Sequence, residues 1–185
     1  MDDFPPDDGY ADYNDGRDDF TAVPFDGRDY PGDNSVDEAR EYVRETLRRD
    51  IRRGCPCCGR DVYLYKRPLN ATMARTIIKL WRAGGEEDFV HVPGLSGDTH
   101  EGSQLSWWGL AVSSLERRSD GGKRGEWKLT RYGVDFVLDD ASIPRYARTF
   151  DAHCFWLEGE PRTIIDCLKD PFHYRRLMGF EGDDE

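Results

Sequence analysis

The spacing of apolar positions divides the chain into an apolar-poor start and a patterned body. Residues 1–34 contain only Phe4, Phe20, Val23 and Phe25 from the Leu/Ile/Val/Phe set, interrupted by four prolines. Such a segment cannot bury enough apolar area to offset the entropy of ordering its backbone, so it is expected to be a disordered tail. Periodicity begins at Ser35, where Ser35-Val36-Asp37-Glu38 forms a capping box. Val36, Ala39, Val43, Leu47 and Ile51 follow at helical spacing and predict one helix through about residue 53. A short strand is expected over 61–66, then a helix over 70–84 with Met73, Ile77, Leu80 and Trp81 on one face and Gly84-Gly85 ending it.

Further on, 89–92 reads as a short strand and 93–102, punctuated by Gly94, Gly97 and Gly102, as a loop or a very short helix. A short helix over 103–108 is stopped by Gly109. Strands over 110–118 and 126–130 flank a glycine-rich turn and form a β-hairpin, and Thr130 caps a helix over 131–138. A second hairpin pairs 144–150 with 154–157 around Asp151-Ala152, and short helices over 164–169 and 174–178 close the body. The expected class is α+β, with a body over 35–180 between tails 1–34 and 181–185. Within it, 35–68 holds the first helix and a cysteine turn, 70–138 a central core, and 142–180 a C-terminal hairpin with short helices.

Charge sharpens this division. The net charge of −11 resides in the tails: residues 1–34 carry 11 Asp against Arg17 and Arg28, and residues 181–185 add four acidic groups. The body holds 24 basic and 22 acidic side chains, so the acidity of the whole chain is not a bar to polyanion binding by the body. Arg40, Arg44, Arg48 and Arg52 form a stripe that either meets phosphates or is a solvated flank paired with Glu41 and Glu45. No apolar run approaches the roughly 18 residues a spanning helix needs, and the acidic N-terminus lacks a secretory layout, so a cytoplasmic location without membrane contact is expected. Asp12, Asn14 and Gly16 do not fit a calcium loop, which needs a ligand where Gly16 stands.

The first hairpin and its flanks carry the most specific pattern. Trp108-Gly109-Leu110, a tip of glycine and basic residues, and Trp127-Lys128-Leu129-Thr130-Arg131-Tyr132-Gly133 resemble the second half of a winged helix-turn-helix regulator over about residues 70–138. That resemblance implies duplex DNA as the partner, with a helix in the major groove and the wing on the backbone. Arg117, Arg118, Lys123, Arg124, Lys128 and Arg131 would then supply phosphate contacts, and Ser103, Gln104 and Ser106 the polar groups facing base edges. The bland alternative is that the tip is basic and glycine-rich for solubility and turn geometry. Of Trp107 and Trp108, one is expected in the core and the other at a contact surface.

Cys55-Pro56-Cys57-Cys58-Gly59 has the form of a zinc knuckle, in which Cys55 and Cys58 place two thiolates on one ion. A second pair with this spacing is missing, so the remaining ligands are sought at His153 and Cys154, at Cys57, or at His91, His100 and Cys167. The alternative is a metal-free turn. A redox dithiol is disfavoured because no βαβ pattern surrounds it. The order of this knuckle, Met73-Ala74-Arg75, Trp108-Gly109-Leu110, Trp127–Thr130 and Tyr174–Met178 is similar to a group of small proteins of tailed phages of GC-rich bacteria, which implies action inside a bacterial host.

No phosphate loop, nucleophile elbow or His-Glu-x-x-His motif is present, so no enzymatic activity is expected. The leading expectation is DNA binding in a transcriptional or accessory role. The alternative is a protein-interaction module or host-factor antagonist that uses Trp107, the arginine stripe and the acidic, aromatic-containing tail.

Overall fold

The computed structural model describes residues 35–96, 100–117, 119, 121–122 and 125–179. The expected tails 1–34 and 181–185 lie outside the described residues. The class is mixed α+β, with six α-helices and three small antiparallel sheets among the described residues. No helix among them is long and apolar enough to cross a membrane.

Helix α1 (Val36–Arg48) starts at the predicted capping box: the Ser35 N–H donates to Glu38 Oε2 at 2.6 Å, and the Glu38 N–H donates to Ser35 Oγ at 3.4 Å. It ends five residues before the predicted position because Asp50 turns the chain at φ +50° and frees Arg53–Gly54 to form strand β1. The arginine stripe is paired along the helix, Arg40 with Asp37, Arg44 with Glu41, Arg48 with Glu41 and Glu45. Such exposed pairs contribute little each. Strand β1 pairs with β2 (Asp61–Val62) in the register Arg53↔Val62 and Gly54↔Asp61. Leu47, Val62 and Leu64 form a small core beneath α1, joined by Val43, Cys55 and Phe150.

The single strand expected over 61–66 is two strands in different sheets. At Tyr63-Leu64 the chain changes partner, and β3 (Tyr65–Pro68) pairs instead with β7 (Ile143–Phe150). Helix α2 (Ala71–Arg82) then begins at Asn70, whose Oδ1 accepts the Met73 N–H at 2.9 Å. Met73, Ala74, Ile77, Ile78 and Leu80 are all buried, which is broader than the predicted stripe. The reason is that α2 is packed from several sides and forms the centre of the main core.

After α2 come β4 (Val90–His91), α3 (Val92–Ser96) and a 3-10 helix (His100–Trp108). Next are β5 (Ala111–Ser113), β6 (Glu126–Leu129) and α4 (Arg131–Val137). The sheet order is β4-β6-β5, so the strand that follows α2 lies beside the last strand of the hairpin. The short helix expected over 103–108 is present, in 3-10 form and beginning at His100. The Gly109 N–H bonds to the Ser106 carbonyl at 3.0 Å, a three-residue step, and the Ser106 hydroxyl bonds to the Ser103 carbonyl at 2.8 Å. This local side-chain bond competes with α-helical geometry.

The second predicted hairpin is formed by β7 and β8 (His153–Arg162), which continues beyond the expected 157 and has irregularities in register between Arg148 and Thr149 and between Pro144 and Tyr146. Helices α5 (Ile164–Leu168) and α6 (Pro171–Met178) complete the core, and the Tyr174 hydroxyl donates to the Val137 carbonyl at 2.9 Å. Asp151 and Ala152 at the β7–β8 turn are both left-handed, at φ +47° and +60°, as a two-residue hairpin loop requires. An alanine pays a steric cost there that glycine does not. Ala152→Gly is therefore expected to raise stability by roughly 0.5 kcal/mol or more after its larger unfolded-state entropy is discounted, and a lowered thermal midpoint would contradict this.

Candidate nucleic-acid interface

The 3-10 helix has three residues per turn, so residues three apart share a face. Leu105 and Trp108 point into the core at 0% and 3% exposure. Ser103 and Ser106 occupy an exposed face, while Gln104 and Trp107 are half-buried. The Ser106 hydroxyl proton is committed to the Ser103 carbonyl, which leaves its oxygen lone pairs as acceptors. Gly109 ends the helix at φ +69° and the chain enters β5 directly.

Both tryptophans are tied to the C-terminal hairpin. The Trp108 indole N–H donates to the Pro144 carbonyl at 2.8 Å, and that of Trp107 donates to the Ala152 carbonyl at 3.3 Å. Trp107 also packs against the main core. Trp108 is thus the core tryptophan the sequence leads one to expect, while Trp107 keeps part of its ring at the surface; an indole needs a partner when its body is covered, and the β7–β8 carbonyls supply one for each ring. This junction holds the 3-10 helix in place while leaving Ser103 and Ser106 outward.

The β5–β6 hairpin is held by the register Ala111↔Leu129, Val112↔Lys128 and Ser113↔Trp127. Its other side pairs with β4, and the Val92 N–H donates to the Gly125 carbonyl at 3.1 Å. A Cβ at Gly125 would lie 3.5 Å from His91 Nε2, which places His91 beside the loop end of the hairpin. In the sequence His91 stands out only as a remote candidate metal ligand. Nothing local signals its position, because a two-residue strand acquires its neighbour through long-range pairing.

The predicted basic contacts are placed differently from one another. Arg117 is exposed, with Nη1 3.4 Å from the Gly121 carbonyl across the turn. Arg118, Lys123 and Arg124 lie outside the described residues. Lys128 is half-buried and its ammonium donates to the Glu87 carbonyl, so this side chain braces the loop after α2. Arg131 is exposed at the start of α4 and pairs with Asp135 at 3.1 Å. Thr130 just before it caps α4 by accepting the Gly133 N–H at 2.9 Å, and its hydroxyl donates to the Gly109 carbonyl at 2.6 Å. That bond fixes the start of α4 to the end of the 3-10 helix.

The cysteine turn is a separate structure joining β1 to β2. The Cys55 N–H donates to the Arg60 carbonyl at 2.7 Å, the Gly59 N–H to the Cys55 carbonyl at 2.8 Å, and Gly59 adopts φ +72°. Burial works to raise the Cys55 thiol pKa, but the backbone N–H groups of Cys57 and Cys58 and the thiols of both outweigh it and leave it below the ordinary value. His153 and Cys154 are not brought to this turn. The His153 ring contacts the Asp151 carbonyl at 2.7 Å, and Cys154 packs against the main core, where burial raises its thiol pKa. Cys167 is buried in that core and pushed up to about 12 by burial and by the charge of Asp166. Among the described residues, no three His, Cys, Asp or Glu side chains converge as a metal site.

His173 lies between Arg75 and Arg176, at 3.4 and 3.2 Å, and burial followed by these two charges lowers its pKa. No family model, curated protein or solved structure matches the chain.

Proposed function

We propose that residues 70–138 form a winged-helix-like unit that binds duplex DNA, with the 3-10 helix presented to a groove and the β5–β6 hairpin acting as the wing. The observation that carries this reading is the sheet order β4-β6-β5 within the element order α2, β4, α3, 3-10 helix, β5, β6. A strand between the first two helices that pairs with the returning strand of the wing is the arrangement that fixes a wing beside a presented helix. The outward Ser103 and Ser106 agree with a surface open to a ligand.

Phosphate contacts are assigned to Arg117, Arg118, Lys123 and Arg124, with Arg131 at the start of α4. Lys128 is assigned a bracing role instead, because its ammonium is engaged by the Glu87 carbonyl. The body carries only two more basic than acidic groups, so affinity comes from these local groups rather than from the overall field.

The reading is tested by placing a negative charge on the presented face. Ser103→Asp is exposed and should leave the fold intact, yet repel phosphates and weaken duplex binding about tenfold or more, equivalent to roughly 1.4 kcal/mol. Unchanged affinity would remove the 3-10 helix from the interface. Deleting residues 1–34 removes 11 Asp and two Arg and is expected to strengthen binding, because that segment competes with DNA for the same cations.

A further inference from the structure

The cysteine turn presents half of a metal site at the surface. Its backbone is closed by the two hydrogen bonds at Cys55 and by left-handed Gly59, so the two ends of the Cys55–Cys58 spacing are held before any ion arrives. Cys57 and Cys58 are exposed and Cys55 is half-buried. Their chemistry selects a soft or borderline divalent ion, and zinc takes four such ligands in a tetrahedron. One turn offers two at that spacing. The histidine and cysteine of the β7–β8 turn, which would have completed a site within the chain, are engaged elsewhere.

Beside the turn lies an open apolar groove of about 370 Å³, lined by Val36, Ala39 and Val43 of α1 with Arg40, Arg44, Cys55 and Cys57. Val36 is 65% exposed although it begins the apolar face of the helix. Laid antiparallel on a copy of itself, α1 covers both apolar strips, and its charged groups, paired within each chain as Arg40 with Asp37 and Arg48 with Glu41, flank the contact without a like-charge excess. A two-fold axis between two copies therefore satisfies the groove and the ligand count together.

We infer that two copies of this chain share one zinc ion, each copy contributing the Cys55 and Cys58 thiolates, with the α1 grooves packed against each other around the site. Binding releases the four thiol protons and leaves a tetrathiolate of net charge −2. The backbone N–H groups of Cys57 and Cys58 at the Cys55 sulfur, and the Arg40 and Arg44 guanidiniums lining the same groove, offset that charge. This assembly does not depend on DNA binding.

The test is metal content and solution mass of the full chain during titration with zinc, and again after a chelator. The expected result is about one zinc per two chains, a dimer that the chelator returns to monomer, and a cobalt-substituted form whose charge-transfer band has the intensity of four thiolates. Cys58→Ser, at an exposed position, should abolish both metal binding and dimerisation while the circular dichroism spectrum is kept. Cys57→Ser should retain both. One zinc per monomeric chain, no zinc at all, or a dimer that survives both the chelator and Cys58→Ser would each overturn the inference.

Discussion

Gly133→Ala is expected to destabilise the protein more than any other glycine-to-alanine change among the described residues. A Cβ at this position would lie 1.9 Å from the Leu110 carbonyl oxygen and 2.9 Å from its carbon. The obstacle is backbone, and it cannot rotate away as a side chain would. The Leu110 carbonyl also accepts the Thr130 N–H at 3.1 Å, and the Gly133 N–H caps on Thr130 at 2.9 Å, so moving α4 outward breaks the cap that starts it. Overpacking of one methyl in a yielding core costs about 1–3 kcal/mol. Here the displacement involves two hydrogen-bonded elements, and a loss of about 3 kcal/mol or more is expected. Against a typical total of roughly 5–15 kcal/mol this lowers the urea midpoint sharply. A change below about 0.5 kcal/mol would mean that α4 and β5 do not approach as closely as described.

Trp108→Ala should follow closely, at about 3–5 kcal/mol, the usual cost of emptying a large aromatic site. Trp108 is 3% exposed in the main core, and its indole is the hydrogen-bond link from the 3-10 helix to Pro144 of β7. Removal leaves both a cavity and a carbonyl without that donor. Trp108→Phe separates the two contributions: it retains most apolar contact and is expected to lose only about 1–2 kcal/mol. Trp107, half-buried with a longer bond to Ala152, should cost less than Trp108 on the same replacement. Equal losses at the two positions, measured by chemical unfolding, would contradict the assignment of Trp108 as the central anchor.

The elements legible from sequence are those whose signals are local. Ser35 with Glu38, and Thr130 before α4, cap helices because a side chain three residues from its partner needs no tertiary help. The β7–β8 hairpin was readable for the same reason, since alternation converges on a two-residue turn. Four features were not readable. The partner change at Tyr63-Leu64 depends on β7, more than 80 residues away. A strand at 89–92 is legible, but its pairing with β6 is not. The indole of Trp107 and the ammonium of Lys128 look free in sequence, and their partners are main-chain carbonyls that no residue type announces.

The candidate site divides along the same line. Ser103, Ser106 and Arg117 were legible as polar or basic positions on short elements, and they remain outward. The place of His91 beside the loop end of the hairpin is not legible. The cysteine spacing was legible, but the apolar groove beside it was not, because it arises only when α1 packs across β1 and β2.

The salt dependence of duplex DNA binding tests the central claim most directly. The full chain should bind duplex DNA at low salt, with log K falling linearly against log salt by about 0.9 per phosphate contacted. Replacing Lys123 and Arg124 together by alanine should reduce that slope by about 1.8. Absence of binding at low salt, or a slope indifferent to those two residues, would contradict a DNA-contacting wing.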